Sequence, residues 1–121
     1  MKMKTLSGLV FALGFAVSPA LAHPRLTAAG PVPGSVIKTP PKSIRIEFSE
    51  AIELAFSGIT LKDDKGQAEP LGVASLNPKD NKQLIVPVTG NLASGKYTVE
   101  WHALGDDTHP QNGRYNFEIK P

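Results

Sequence analysis

Apolar and polar residues alternate along much of the chain with the period of two that marks strands buried on one face. In Ser43-Ile44-Arg45-Ile46-Glu47-Phe48 the pattern puts Ile44, Ile46 and Phe48 together, and over residues 82–88 it does the same with Leu84, Val86 and Val88. Residues 97–101 and 114–119 repeat it. Residues 58–62 form a shorter strand ended by the turn sequence Asp63-Asp64-Lys65-Gly66. With weaker strands near Leu26 and at Ser35-Val36-Ile37, about seven strands are expected. Prolines and glycines recur every few residues, so no window offers three uninterrupted turns of amphipathic helix. The expected fold is all-β: a small antiparallel sandwich, Ig-like, or a Greek-key barrel. Pro31, Pro33, Pro40 and Pro41 fall in connections, while Pro87 lies inside a strand pattern and suggests an edge or a bulge. There is no internal repeat and no domain linker.

The first 22 residues have a different pattern. Lys2 and Lys4 precede an apolar run over residues 6–17, and Pro19-Ala20-Leu21-Ala22 stands before His23. That order of charge, apolar run and small residues is a secretory signal, and the run is short for a bilayer span. Cleavage after Ala22 is expected, leaving one domain over residues 23–121. Removing 22 of the 121 residues leaves 99, with 11 Lys plus Arg against 11 Asp plus Glu. A neutral domain with scattered lysines lacks the footprint of a nucleic-acid binder, and nothing after residue 17 is apolar enough to insert directly in a membrane. The chain has no Cys, and its two methionines, Met1 and Met3, leave with the signal. Metal chemistry in the exported protein is therefore confined to nitrogen and oxygen donors.

The histidines are His23, His102 and His109. As the first residue after cleavage, His23 would offer a free α-amine and an imidazole, and the amine with Nδ1 can close a six-membered chelate on one ion. Pro24 has no N–H, so metal binding down successive backbone nitrogens is blocked. In Gly105-Asp106-Asp107-Thr108-His109-Pro110, Asp107 and His109 stand two apart. In an extended segment both side chains project to one side, and Pro110 favours that form for His109. Two imidazoles, an amine and a carboxylate suit tetragonal Cu(II) or Ni(II), with Cu(II) favoured by the general affinity order. Plainer readings stand beside this one. An Asp-x-His pair alone is more often a turn, and Glu50 is a strand-end carboxylate that fits solvent as well as a metal. His102, opposite in phase to Trp101, reads as an exposed or auxiliary imidazole, Asp106 as a turn residue, and Trp101 as core.

Together these residues resemble the CopC/PcoC family of periplasmic copper-resistance proteins over essentially all of residues 23–121. The likeness is carried by His23 after the signal, Pro33-Gly34-Ser35-Val36, residues 43–50, Phe56-Ser57-Gly58-Ile59, residues 95–101, and Asp107-Thr108-His109-Pro110 followed by Gly113 and Phe117. The resemblance implies a cupredoxin-like Greek-key β-barrel that binds Cu(II) through His23, Asp107 and His109, with Glu50 matching a carboxylate close to the metal in some members. It also implies a periplasmic location and suggests delivery of the copper ion to an inner-membrane transporter of the CopD type. Some members carry a Met-rich loop with a separate Cu(I) site. Residues 66–83 here contain no Met, so one Cu(II) site and no Cu(I) site are expected. The family often has Arg where this chain has His102, which leaves room for an auxiliary ligand there.

The leading expectation is a non-enzymatic Cu(II)-binding protein for copper sequestration, resistance or delivery. Two alternatives come from other classes. An N-terminal His chelate plus a further His is also the copper geometry of oxidative polysaccharide-cleaving enzymes, and a metal-free sandwich could serve as a protein-binding module.

Overall fold

The computed structural model describes residues 24–106 and 109–121. Eight strands form two four-stranded sheets. The first holds β1 (Leu26–Gly30), β3 (Ser43–Phe48), β6 (Asp80–Pro87) and β5 (Ser75–Asn77), in the order β1-β3-β6-β5. The second holds β2 (Val36–Ile37), β8 (Pro110–Ile119), β7 (Gly95–Leu104) and β4 (Gly58–Lys62), in the order β2-β8-β7-β4. Pairing is antiparallel throughout except between β2 and β8. This is the expected all-β Greek-key sandwich. Among the described residues its one helical piece is the 3-10 turn Leu54–Phe56.

The alternation read from the sequence is the packing rule of the structure. Ile44, Ile46 and Phe48 of β3 and Leu84 and Val86 of β6 are buried against Tyr97, Val99 and Ala103 of β7 and Tyr115, Phe117 and Ile119 of β8. Tyr97 stacks on Phe117 with ring centroids 5.5 Å apart. The Tyr97 hydroxyl donates to the Ala93 carbonyl at 2.7 Å.

Three details differ from the sequence pattern. β5 was not among the expected strands, because Ser75-Leu76-Asn77 carries a single apolar residue and owes its form to pairing with β6. β7 and β8 run further than the alternation suggested and pair from Gly95↔Ile119 to Leu104↔Pro110. Pro87 ends an inner strand rather than an edge strand. Its carbonyl accepts from the Gly72 N–H at 2.8 Å, while the next residue, Val88, donates to Lys42 beside β3. In an antiparallel strand a residue's nitrogen and carbonyl point to the same side, so the Pro87 nitrogen faces a flank that β5 no longer covers and where no ladder donor is required.

Candidate metal centre

Several chain segments meet at one end of the sandwich. β1 begins there, β3 ends there at Phe48, β4 begins at Gly58, and the β7–β8 hairpin turns over between Leu104 and Pro110. The connection from β3 to β4 ties the two sheets together at that end. Ile52 N–H donates to the Asn81 carbonyl of the first sheet at 3.2 Å, and Glu53 N–H donates to the Leu104 carbonyl of the second at 2.8 Å. Phe48 and Trp101 close the core beneath, edge to face, with centroids 5.1 Å apart and planes at 66°.

The entry of the chain into this end is held firmly. Pro24 is fully buried, and the next residue is clamped to the end of β3 by two bonds. Arg25 N–H donates to the Ser49 hydroxyl at 2.9 Å, and Ser49 N–H returns a bond to the Arg25 carbonyl at 2.8 Å. The described chain therefore starts, at Pro24 and Arg25, beside the Ser49-Glu50 bend. His23 itself lies outside the described residues, as do Asp107 and Thr108.

His109 is exposed and immediately precedes β8 in the loop at this end. Glu50 is half-buried, two residues beyond the inward-facing Phe48. Both are donors of the kind a borderline cation takes, and both belong to segments converging on the same mouth. Among the described residues no group of three or more His, Cys, Asp or Glu side chains is close enough to hold an ion. His102 is exposed and pairs with Gly58 and Asn112, on the phase of β7 opposite to Val99, Trp101 and Ala103. Its ring lies over Gly58, where a Cβ would come within 2.9 Å of Cε1. The imidazole thus borders an open cleft of about 380 Å³ on the outer face with Thr60, Glu100, Asn112 and Arg114. Asp106 is exposed in the turn, and Trp101 is half-buried at the margin of the core.

Serines with no metal-binding chemistry of their own do the local building. Ser57, 9% exposed, accepts from Leu104 N–H at 3.1 Å and donates to the Glu53 carbonyl at 2.8 Å. Ser49 and Ser57 both stand inside the motifs Phe48-Ser49-Glu50 and Phe56-Ser57-Gly58. The available signal was a small hydroxyl flanking a strand end, the usual position for bonding a main chain that has left its ladder.

A CopC domain family model matches residues 26–120. The chain is 36% identical over 119 residues to copper resistance protein C of Escherichia coli, spanning 93% of this chain and 91% of that one. It is 37% identical over 105 residues to protein YobA of Escherichia coli (strain K12), spanning 86% and 85%. Among solved structures it is similar to CopC from Methylosinus trichosporium OB3b, with a TM-score of 0.75 and 28% identity over 82% of this chain and 95% of that one.

Proposed function

The chain belongs to the CopC domain family of copper-binding resistance proteins, which are not enzymes, and from that premise we propose a periplasmic Cu(II) carrier with a single site. The site is built on the α-amine and imidazole of His23, the Asp107 carboxylate and the His109 imidazole, with Glu50 at its margin. The observation that carries this reading is the convergence at one end of the sandwich. Pro24 and Arg25 fix the start of the domain beside Ser49, and the loop with His109 follows Leu104, which is bonded to the same connection.

The donor set explains what the protein does with its cargo. An amine, two imidazoles and one carboxylate give Cu(II) the nitrogen- and oxygen-rich environment it prefers, and with no sulfur in the domain there is no soft ligand for Cu(I). An exposed His109 leaves the ion reachable, as transfer to a CopD-type inner-membrane transporter requires. His102 lies on the outer face with its ring over Gly58.

Mature protein beginning at His23 is expected to bind one Cu(II) per chain in a calorimetric or spin-resonance titration. His23→Ala, or one extra residue before His23, should abolish tight binding, and unchanged affinity in both variants would overturn the assignment. Since every nitrogen donor must shed a proton to coordinate, affinity should fall as pH drops below neutrality.

A further inference from the structure

The outer face of the second sheet carries polar side chains in register across three strands. On one rung Gly58 of β4, His102 of β7 and Asn112 of β8 stand side by side, and two residues along Thr60, Glu100 and Arg114 do the same. The rung between them, Trp101↔Gly113, sends its indole inward against Phe48 and has no other side chain. Only main chain lies beneath the outer face there.

The register sets Glu100 directly opposite Arg114, the usual arrangement for a cross-strand ion pair. The carboxylate bonds instead to Lys62 of β4, at 3.1 Å. His102 turns toward β4 as well, its ring lying over Gly58 where any other residue would carry a Cβ. Arg114 is exposed and has neither a hydrogen bond nor an ion pair among the described residues. It lines the open cleft of about 380 Å³ together with Asn112, Thr60, His102 and Glu100.

Charge decides what such a cleft can take. With Glu100 balanced by Lys62, the guanidinium of Arg114 is its one uncompensated charge. That group is a planar fork of N–H donors, and the Asn112 amide, the Thr60 hydroxyl and an imidazole N–H are further donors around it. Such a set matches an oxyanion, which a guanidinium can take through two parallel bonds. A divalent cation is disfavoured, because it would sit beside Arg114 and would have to draw Glu100 away from Lys62.

We propose that this cleft binds a small oxyanion, a carboxylate or a phosphate group, in the fork of Arg114 with Asn112 and His102 beside it. It uses none of the ligands proposed for copper, so it stands or falls separately from that reading. Amide NMR spectra in metal-free buffer test it, by titration with sodium phosphate and separately with sodium acetate, each against sodium chloride at equal ionic strength. Saturable shifts centred on residues 100–102 and 112–114 are expected with at least one of the two anions and not with chloride. Tighter acetate binding assigns the site to carboxylates, and tighter phosphate binding assigns it to phosphate groups. Arg114→Gln, at an exposed position, should leave the rest of the spectrum in place and weaken binding about tenfold or more, the usual effect of losing a hydrogen bond to a charged group. Arg114→Lys, which keeps the charge without the fork, should bind more tightly than Arg114→Gln and more weakly than wild type. Shifts that never saturate, shifts that chloride reproduces, or wild-type affinity in Arg114→Gln would each overturn the proposal.

Discussion

Gly113 sits directly opposite Trp101 on the paired strands β7 and β8, and the indole covers it so closely that an added Cβ would lie 2.4 Å from Cζ2. The missing side chain is what lets Trp101 lean over β8 and meet Phe48 at the mouth of the barrel. Gly113→Ala should displace the ring and destabilise the domain by about 1–3 kcal/mol, the usual range for forcing atoms into a packed site. A urea titration followed by the emission of Trp101, the only tryptophan in the chain, reads both effects. An unchanged midpoint with unchanged emission would mean that the contact is slack. At this scale the sequence disclosed candidate donors but not their supports. Histidines and carboxylates announce themselves by type, whereas the tasks of Ser49, Ser57 and Gly113 depend on which backbone or ring lies across from them.

The strands were legible where burial is one-sided. β3 and β4 have the bounds that their patterns predict, because a one-residue slip would turn their core residues outward. β5 was hidden for the complementary reason, since one apolar residue in three cannot display a period. The far ends of β7 and β8 were also hidden, since Pro110-Gln111-Asn112-Gly113 has no apolar alternation and is extended only because β7 lies beside it. Turns were clearer. Asp63 accepts from the N–H groups of Lys65 at 2.8 Å and Gln67 at 2.9 Å, closing the turn after β4 at the end opposite the candidate centre. Asp63→Ala should therefore cost about 1–2 kcal/mol of stability by urea unfolding and leave copper affinity unchanged. A loss of affinity there would show that the two ends of the sandwich communicate.

For the molecule as a whole, the core carries a pH dependence unrelated to copper. Burial raises the phenol of Tyr97 above its ordinary value of 10.0, helped by the negative charge of Glu69, and burial alone raises that of Tyr115 strongly. In the unfolded chain both ionise near the ordinary value. Above it, the unfolded state holds fewer protons than the native state, and stability must fall as pH rises toward the folded values. Urea midpoints should be level up to about pH 9 and decline beyond about pH 10, with a shallower decline in Tyr115→Phe. An identical alkaline slope in that variant would remove Tyr115 from the account. More than 80 residues separate His23 from Asp107, so the proposed ligands can share a site only through the order of the strands and not through their spacing in the sequence. The buried Pro24 has a last consequence, for the life history of the protein. A protease that frees the amine of His23 needs several extended residues on both sides of the bond, yet in the folded domain the very next residue is buried and Arg25 is pinned to Ser49. If the signal is cut before His23, the cut must come before β1 docks. A precursor that folded first would be a well-formed barrel in which the proposed amine ligand is still tied up as a peptide amide.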